Sequence, residues 1–386
     1  MDDTIILTTG GTGGHIFPAR AVARELVRQG FKVVIFGDEN YKKYHKNDDE
    51  FSFKTIYSSK ISKAPIALIK AGLKIKIGFW QSIFLITKYQ PKTIVAFGGY
   101  ATFPVLLAAI ILRKKIVLHE QNAHLGKVNR LFAKFACKIA LSFEPTDGIK
   151  KEFLSKTIFT GNPVRSQIMA LAHREYKLPN PEPEVQVADN LGYDVILASE
   201  FYKADPKPET FNILVIGGSG GARIFSEILP RAFFNLNNDL KNHLRITQQC
   251  RQEVVQSTYN QYKAFNLNVK VSHFFENMDE EIGNAHLVIA RSGSTSLAEF
   301  TIAKRPMILV PFAASADNHQ EKNANNIAAK GGAIVIKEQD FTIPNVKAIL
   351  EKLIDNEAEL KKMSANAFKC AHLEATKDLT KVICNV

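Results

Sequence analysis

Residues 4–18 read Thr4-Ile5-Ile6-Leu7-Thr8-Thr9-Gly10-Gly11-Thr12-Gly13-Gly14-His15-Ile16-Phe17-Pro18, and this stretch decides the fold. A short apolar run meets a glycine-rich turn. Beyond it Ala21, Val22 and Leu26 recur on one helical face, with Pro18 near the helix start and Gly30 as its stop. The order repeats at residues 211–223, where an apolar run ends in Gly217-Gly218-Ser219-Gly220-Gly221-Ala222-Arg223. Further apolar runs at 33–36, 93–97, 115–118, 287–290, 307–310 and 333–336 alternate with helical patterns. Unbroken apolar strands separated by helices predict parallel sheets covered on both faces. The expected fold is α/β, with two doubly wound, Rossmann-like domains in tandem. Residues 178–209 interrupt the rhythm with five prolines and seven acidic residues, and read as a surface excursion after the hinge.

The 386 residues, 46% hydrophobic and 23% charged, are enough for two folded domains. Cys137, Cys250, Cys370 and Cys384 lie far apart without a C-x-x-C pair, which argues against a zinc site or a disulfide framework and for a reducing cytoplasm. No basic and apolar leader precedes Ile5, so export is not expected. The longest apolar run, residues 103–112, is well short of the roughly 20 that span a bilayer. The net charge of +12 is unevenly placed. Residues 1–165 carry 26 Lys/Arg against 12 Asp/Glu, and residues 51–119 contain no acid at all. That half is expected to face something anionic.

A glycine-rich turn feeding a helix gathers unpaired N–H groups and the positive end of a helix dipole, which suits a diphosphate. The first loop does not complete G-x-G-x-x-G, since Ile16 or Phe17 stands where the last glycine would fall. Asp38 and Glu39 nevertheless stand about where a ribose-binding acid would, so an NAD(P)-dependent oxidoreductase stays open. A third loop, Arg291-Ser292-Gly293-Ser294-Thr295-Ser296, runs into Leu297-Ala298-Glu299-Phe300 and gathers hydroxyls at a helix start. There Glu299 is read either as an acceptor for ribose hydroxyls or as a first-turn acid opposing the helix dipole. Gln320, after a fourth loop, reads sugar hydroxyls or merely lies in a cap region.

The first glycine loop through Pro18, with His119-Glu120-Gln121-Asn122, Gly161-Asn162-Pro163-Val164-Arg165, the second glycine loop, Arg291-Ser292-Gly293 and Asp317-Asn318-His319-Gln320, resembles the MurG family of peptidoglycan N-acetylglucosaminyltransferases, in family order over nearly the whole chain. The resemblance implies a GT-B fold. It places an acceptor- and membrane-binding domain at residues 1–165, a UDP-sugar domain at 166–368, and a terminal helix at 369–386 packing back on the first. It implies transfer of N-acetylglucosamine from UDP-GlcNAc to the C4 hydroxyl of undecaprenyl-pyrophosphoryl-MurNAc-pentapeptide, at the cytoplasmic face of the inner membrane, with a cell-wall synthesis complex as an expected partner. By motif matching it assigns the donor to Thr12, Gly13, Gly14, Asn122, Arg165, Ser219, Phe275, Ser294, Thr295, Ser296, Leu297, Ala298, Glu299 and Gln320. The acceptor pyrophosphate is expected at Gly13, Gly14, Gly98, Gly99 and Tyr100. Gly220 departs from the family pattern, which often has glutamine there.

Inverting transfer needs a base for the acceptor hydroxyl and a counter-charge for departing UDP. No two aspartates are two residues apart, so no D-x-D is present, and no metal cofactor is expected. Helix starts at Gly13, Gly220 and Ser294, with Arg165, are the substitutes. His15 is the leading candidate base because its ordinary pKa suits proton transfer near neutrality, and Glu120 is the other, read alternatively as an orienter of Asn122.

Residues 60–92 mix apolar side chains with seven lysines and no acid. They read as a helix pair on anionic phospholipid, with Ile66, Ile69, Leu73, Phe79 and Trp80 inserted and Lys70 and Lys74 snorkelling; the alternative is a core face with solvated lysines. A nucleic-acid partner is not expected, since no reader motif accompanies the basic segment. The nearer rival is another GT-B enzyme with a diacylglycerol or sterol acceptor.

Overall fold

The computed structural model describes residues 3–44, 50–59, 65–179, 210–218 and 220–386. Seven strands form the first sheet: β1 (Thr4–Thr8), β2 (Lys32–Gly37), β3 (Ser52–Thr55), β4 (Thr93–Ala96), β5 (Lys115–Glu120), β6 (Lys138–Leu141) and β7 (Thr157–Phe159). Six form the second: β8 (Phe211–Ile216), β9 (Leu244–Gln249), β10 (Val269–Ser272), β11 (Leu287–Ala290), β12 (Met307–Leu309) and β13 (Ala333–Val335). Their orders are β3-β2-β1-β4-β5-β6-β7 and β10-β9-β8-β11-β12-β13, with every pairing parallel. Strand order reverses between β1 and β4 and between β8 and β11. In such sheets ligands sit at the carboxyl ends beside that reversal. The glycine loops leave β1 and β8 there, Gly98-Gly99 follows β4, and Arg291-Ser292-Gly293 follows β11.

Alternation within β1 sends Ile5 and Leu7 to one helical layer and Ile6 to the other, all three buried. The terminal helix Ala375–Cys384 completes the Ile5/Leu7 layer, where Leu379 and Ile383 pack with Ile16, Val22 and Leu26. The chain thus returns to its first sheet after building the second.

The basic segment forms one helix, Pro65–Tyr89, rather than two. Residues 60–64 of it lie outside those described, as do residues 180–209 of the expected excursion and the side chain of Ile66. Small residues line the buried side of this helix: Ala71, Gly78 and Ser82. A Cβ on Gly78 would stand 1.8 Å from the Tyr57 carbonyl oxygen, so only glycine lets the helix approach β3's trailing loop. Phe79 also turns inward, onto the first domain's core, so it leaves the set read as membrane-facing. The outer side is apolar regardless: Ile69, Leu73, Ile77, Trp80 and Phe84, spaced by three or four residues, are each at least half exposed. Exposed Lys70 and Lys74 flank them. Among the described residues no helix is long and apolar enough to cross a membrane.

Candidate active site

The helix Gly13–Arg28 begins on the glycines themselves, a turn earlier than its sequence suggests, so Pro18 lies inside it. Proline has no N–H, and the carbonyl four residues before it therefore lacks a helical partner. That carbonyl is Gly14, and Thr295 Oγ1 donates to it at 2.8 Å from the other domain. Thr295 belongs to the helix Ser294–Ile302, capped by Gly293 in extended conformation. Two helix N-termini, one from each sheet, therefore meet at one place. Their leading N–H groups have no acceptor within the helix, although His15 N already donates to Thr12 O at 3.0 Å, and their dipoles present positive ends to the same spot. Asn162 Nδ2 donates to Thr295 Oγ1 at 3.3 Å and ties the hinge strand to the junction.

Glu299 lies in the second turn of that helix, not the first, which removes the reading of it as an acid opposing the dipole. It is buried, and its Oε1 accepts from Arg165 Nε at 3.0 Å and Nη2 at 2.8 Å. Burial pushes the Glu299 carboxyl above its ordinary value, and Arg165 opposes the shift. The Arg165 guanidinium also lies 4.9 Å from the Phe17 ring centre. Two expected donor contacts are thus paired with each other.

Glu120 is 2% exposed and spends both oxygens on structure: Oε1 accepts from Asn122 N and Nδ2, Oε2 from Gly126 N and Asn129 Nδ2. This geometry matches an orienter of Asn122 rather than a base with a free oxygen. Asn122 Oδ1 in turn accepts from Asn323 Nδ2 at 3.1 Å, across the cleft. Asn323 also accepts from Ala123 N at 2.8 Å and donates to Ser292 O at 3.1 Å. Nearer the rim, Arg130 pairs with Asp317 at 2.6 Å and Lys322 with Asp147 at 2.6 Å. These pairs hold the two sides of the cleft together.

His15 sits half-buried beside Gly98 and Gly99, which take φ of +80° and +85°. A Cβ on Gly99 would stand 3.0 Å from Gly10 O, so glycine is needed where the two loops touch. Next to it, Tyr100 donates its hydroxyl to Asp38 at 3.0 Å. Burial first, then Asp38, raises the Tyr100 pKa. Asp38 also accepts from Gly11 N and from the backbone and side chain of Asn40. Of the two acids that kept the oxidoreductase alternative open, Asp38 is therefore buried and occupied in holding the first glycine loop, while Glu39 is exposed.

Of the other expected donor residues, Ser294 and Thr295 are buried at the junction while Ser296 is half-buried on the same turn. Ser294, Leu297 and Ala298 line a cavity of about 260 Å³ between the domains, with Asn162, Thr301 and His372. Phe275 is buried, with Lys270 over its ring. Gln320 accepts the Phe312 N–H at 3.0 Å through its side chain and so shapes the 311–318 loop. Ser219 lies outside the described residues. The sequence reading assigned nothing to His119, Gln121 or Asn323, although the first two stand inside a quoted motif and Asn323 follows Gln320 by one turn. Among the described residues no three His, Cys, Asp or Glu side chains cluster as a metal site.

Comparison with known proteins gives this arrangement a family. Residues 5–141 match the glycosyltransferase family 28 N-terminal domain and residues 212–382 its C-terminal domain. The UDP-N-acetylglucosamine–N-acetylmuramyl-(pentapeptide) pyrophosphoryl-undecaprenol N-acetylglucosamine transferase of Rhodospirillum centenum is 35% identical over 379 residues, covering 98% of this chain and 93% of its own. The protein of the same name from Wolbachia sp. subsp. Drosophila simulans is 36% identical, covering 98% of both chains. The crystal structure of MurG from Acinetobacter baumannii superposes over the whole of both chains with a TM-score of 0.72 at 26% identity. The chain belongs to the MurG family, within glycosyltransferase family 28.

Proposed function

We propose that this enzyme transfers N-acetylglucosamine from UDP-GlcNAc to the C4 hydroxyl of undecaprenyl-pyrophosphoryl-MurNAc-pentapeptide, with inversion and without a metal. The observation that carries the reading is the meeting of the helix N-termini at Gly13 and Ser294 across the cleft. Opening the cleft frees the Gly14 carbonyl and Asn122, and the donor replaces their contacts together with the Arg165–Glu299 pair, which lies on the second domain's side. First-turn N–H groups and Arg165 then hold the diphosphate as its charge grows. Glu299 accepts from the ribose hydroxyls, the backbone about Phe275 borders the uracil, and Ser219 and Gln320 complete the donor site. His15 takes the proton of the acceptor hydroxyl, while Glu120 positions Asn122. Gly98, Gly99 and Tyr100, together with Gly13 and Gly14, receive the acceptor pyrophosphate.

The acceptor is a membrane lipid, and the outer face of the helix Pro65–Tyr89 supports a peripheral site on the cytoplasmic leaflet. Ile69, Leu73, Trp80 and Phe84 would enter the interface while Lys70 and Lys74 meet anionic headgroups. There the enzyme can join other proteins of cell-wall synthesis. Acceptor competition tests the substrate. Given UDP-GlcNAc with a muramyl-pyrophosphoryl lipid and diacylglycerol together, the sugar is expected on the muramyl lipid in β linkage. Sugar found on diacylglycerol alone contradicts the proposal.

A further inference from the structure

We infer that Gln121 is a positioning residue that sets the tautomer of His15, leaving Nε2 as the proton acceptor. The inference rests on the reading of His15 as the base and adds how the protein prepares it. Gly161 O can only accept, and it lies 3.2 Å from His119 Nε2, so that nitrogen carries the hydrogen. Ser142 Oγ, 3.3 Å from the same nitrogen, has Gly161 O at 3.3 Å as its own acceptor. His119 is wholly buried between the sheet and the Phe97 ring, and desolvation lowers its pKa to about 4. It therefore stays neutral, with one hydrogen on Nε2 and a lone pair on Nδ1.

Gln121 Nε2 lies 2.9 Å from that Nδ1 and must donate to it. This fixes the amide and turns Oε1 toward His15 Nδ1, also at 2.9 Å. An amide oxygen only accepts, so His15 Nδ1 must carry the hydrogen. Neutral His15 is left with its lone pair on Nε2. Gly161 O, three hydrogen bonds away, thereby specifies which His15 nitrogen is basic.

In the transfer step the acceptor oxygen bonds the anomeric carbon as the bond to UDP breaks. The bonding pair leaves with UDP, and the hydroxyl proton passes to His15 Nε2. The imidazolium so formed keeps its Nδ1–H on Gln121 Oε1, and solvent later takes the proton. Gln121 touches no reacting atom, so its role separates from a structural one by spectroscopy.

Nitrogen-15 NMR of the histidine-labelled full chain is the test. The wild type is expected to show His15 protonated at Nδ1 and His119 at Nε2. In Gln121→Leu the Nδ1–H form of His15 should lose its dominance, with kcat falling on the order of 10- to 100-fold and UDP affinity unchanged. Gln121→Glu keeps the shape and the acceptor but adds a charge beside the ring. It should raise the His15 pKa and move the acidic limb of the kcat–pH profile up by about one unit or more. His15 protonated at Nε2 in the wild type, or a tautomer and pH profile indifferent to both substitutions, overturns the inference. A tautomer that responds while kcat does not would instead remove His15 as the base, leaving the hydrogen-bond chain standing.

Discussion

Replacing Asn323 with alanine should open the cleft. Asn323 is fully buried and makes three hydrogen bonds between the domains and within the second: from Ala123 N, to Asn122 Oδ1 and to Ser292 O. The Ser292 bond lies within the second domain and persists on opening, so the two bonds to the first domain, at about 1 kcal/mol net each, favour closure by about 2 kcal/mol. The closed variant would leave Ala123 N and Asn122 Oδ1 without partners and without water, whereas the open one hydrates them. At about 1.4 kcal/mol per decade, the open–closed equilibrium should shift by roughly 30-fold. Because the donor must displace the contacts that hold the cleft closed, the Kd for UDP-GlcNAc should fall by up to the same factor. Titration calorimetry reads the Kd, and small-angle scattering with and without UDP reads the domain separation. A folded Asn323→Ala protein with wild-type affinity and scattering would refute this account of closure. Asn323→Asp is a control that keeps the acceptor for Ala123 but faces a carboxylate toward two oxygens, so it should be no better than alanine.

Pro18→Ala supplies an N–H for the Gly14 carbonyl and removes a proline from a helix interior. It should raise thermal stability yet weaken closure, because Thr295 then competes with the helix for one acceptor; unchanged domain separation would contradict this. Acid should destabilise the fold through fully buried His119 and half-buried His286, each lowered by desolvation to about 4. Below their ordinary value of 6.5 the unfolded chain binds protons that the folded one refuses, so stability is present above pH 6.5 and is lost as pH falls toward 4, by about 3 kcal/mol per histidine. Denaturant titrations at pH 7, 5.5 and 4 check it, and equal midpoints would count against it. Trp80→Glu with Phe84→Glu should weaken binding to anionic vesicles at least 10-fold while leaving transfer in detergent intact, since each large apolar side chain contributes about 1.5–3 kcal/mol when buried. Undiminished vesicle binding would move the membrane face elsewhere.

The strands legible in the sequence are mostly the central ones, because a strand buried on both faces is apolar without interruption. β1, β2, β4, β5, β8, β11, β12 and the edge strand β13 read directly, with ends displaced by a residue or two. The missed strands are of three kinds. β6 is central, but its apolar run is only the three residues after Lys138. β3, β7 and β10 stand at sheet edges, short and half-exposed. β9 hides its period behind Gln248, buried because Tyr262 and Ser226 satisfy its amide. Gly78 and Phe79 show why the basic helix was misjudged: nothing local tells that one face meets β3's loop and the core. The loop motifs located the site, but their pairings are long-range. Pro18 and Thr295 are 277 residues apart, and only the fold makes one the reason for the other.

The most direct test of the central claim is transfer of labelled N-acetylglucosamine from UDP-GlcNAc to a short-chain muramyl-pyrophosphoryl lipid, with and without EDTA. The account predicts equal transfer in both, the departing charge being held by the Gly13 and Ser294 helix starts and Arg165. Transfer abolished by EDTA and restored by a divalent cation would contradict it.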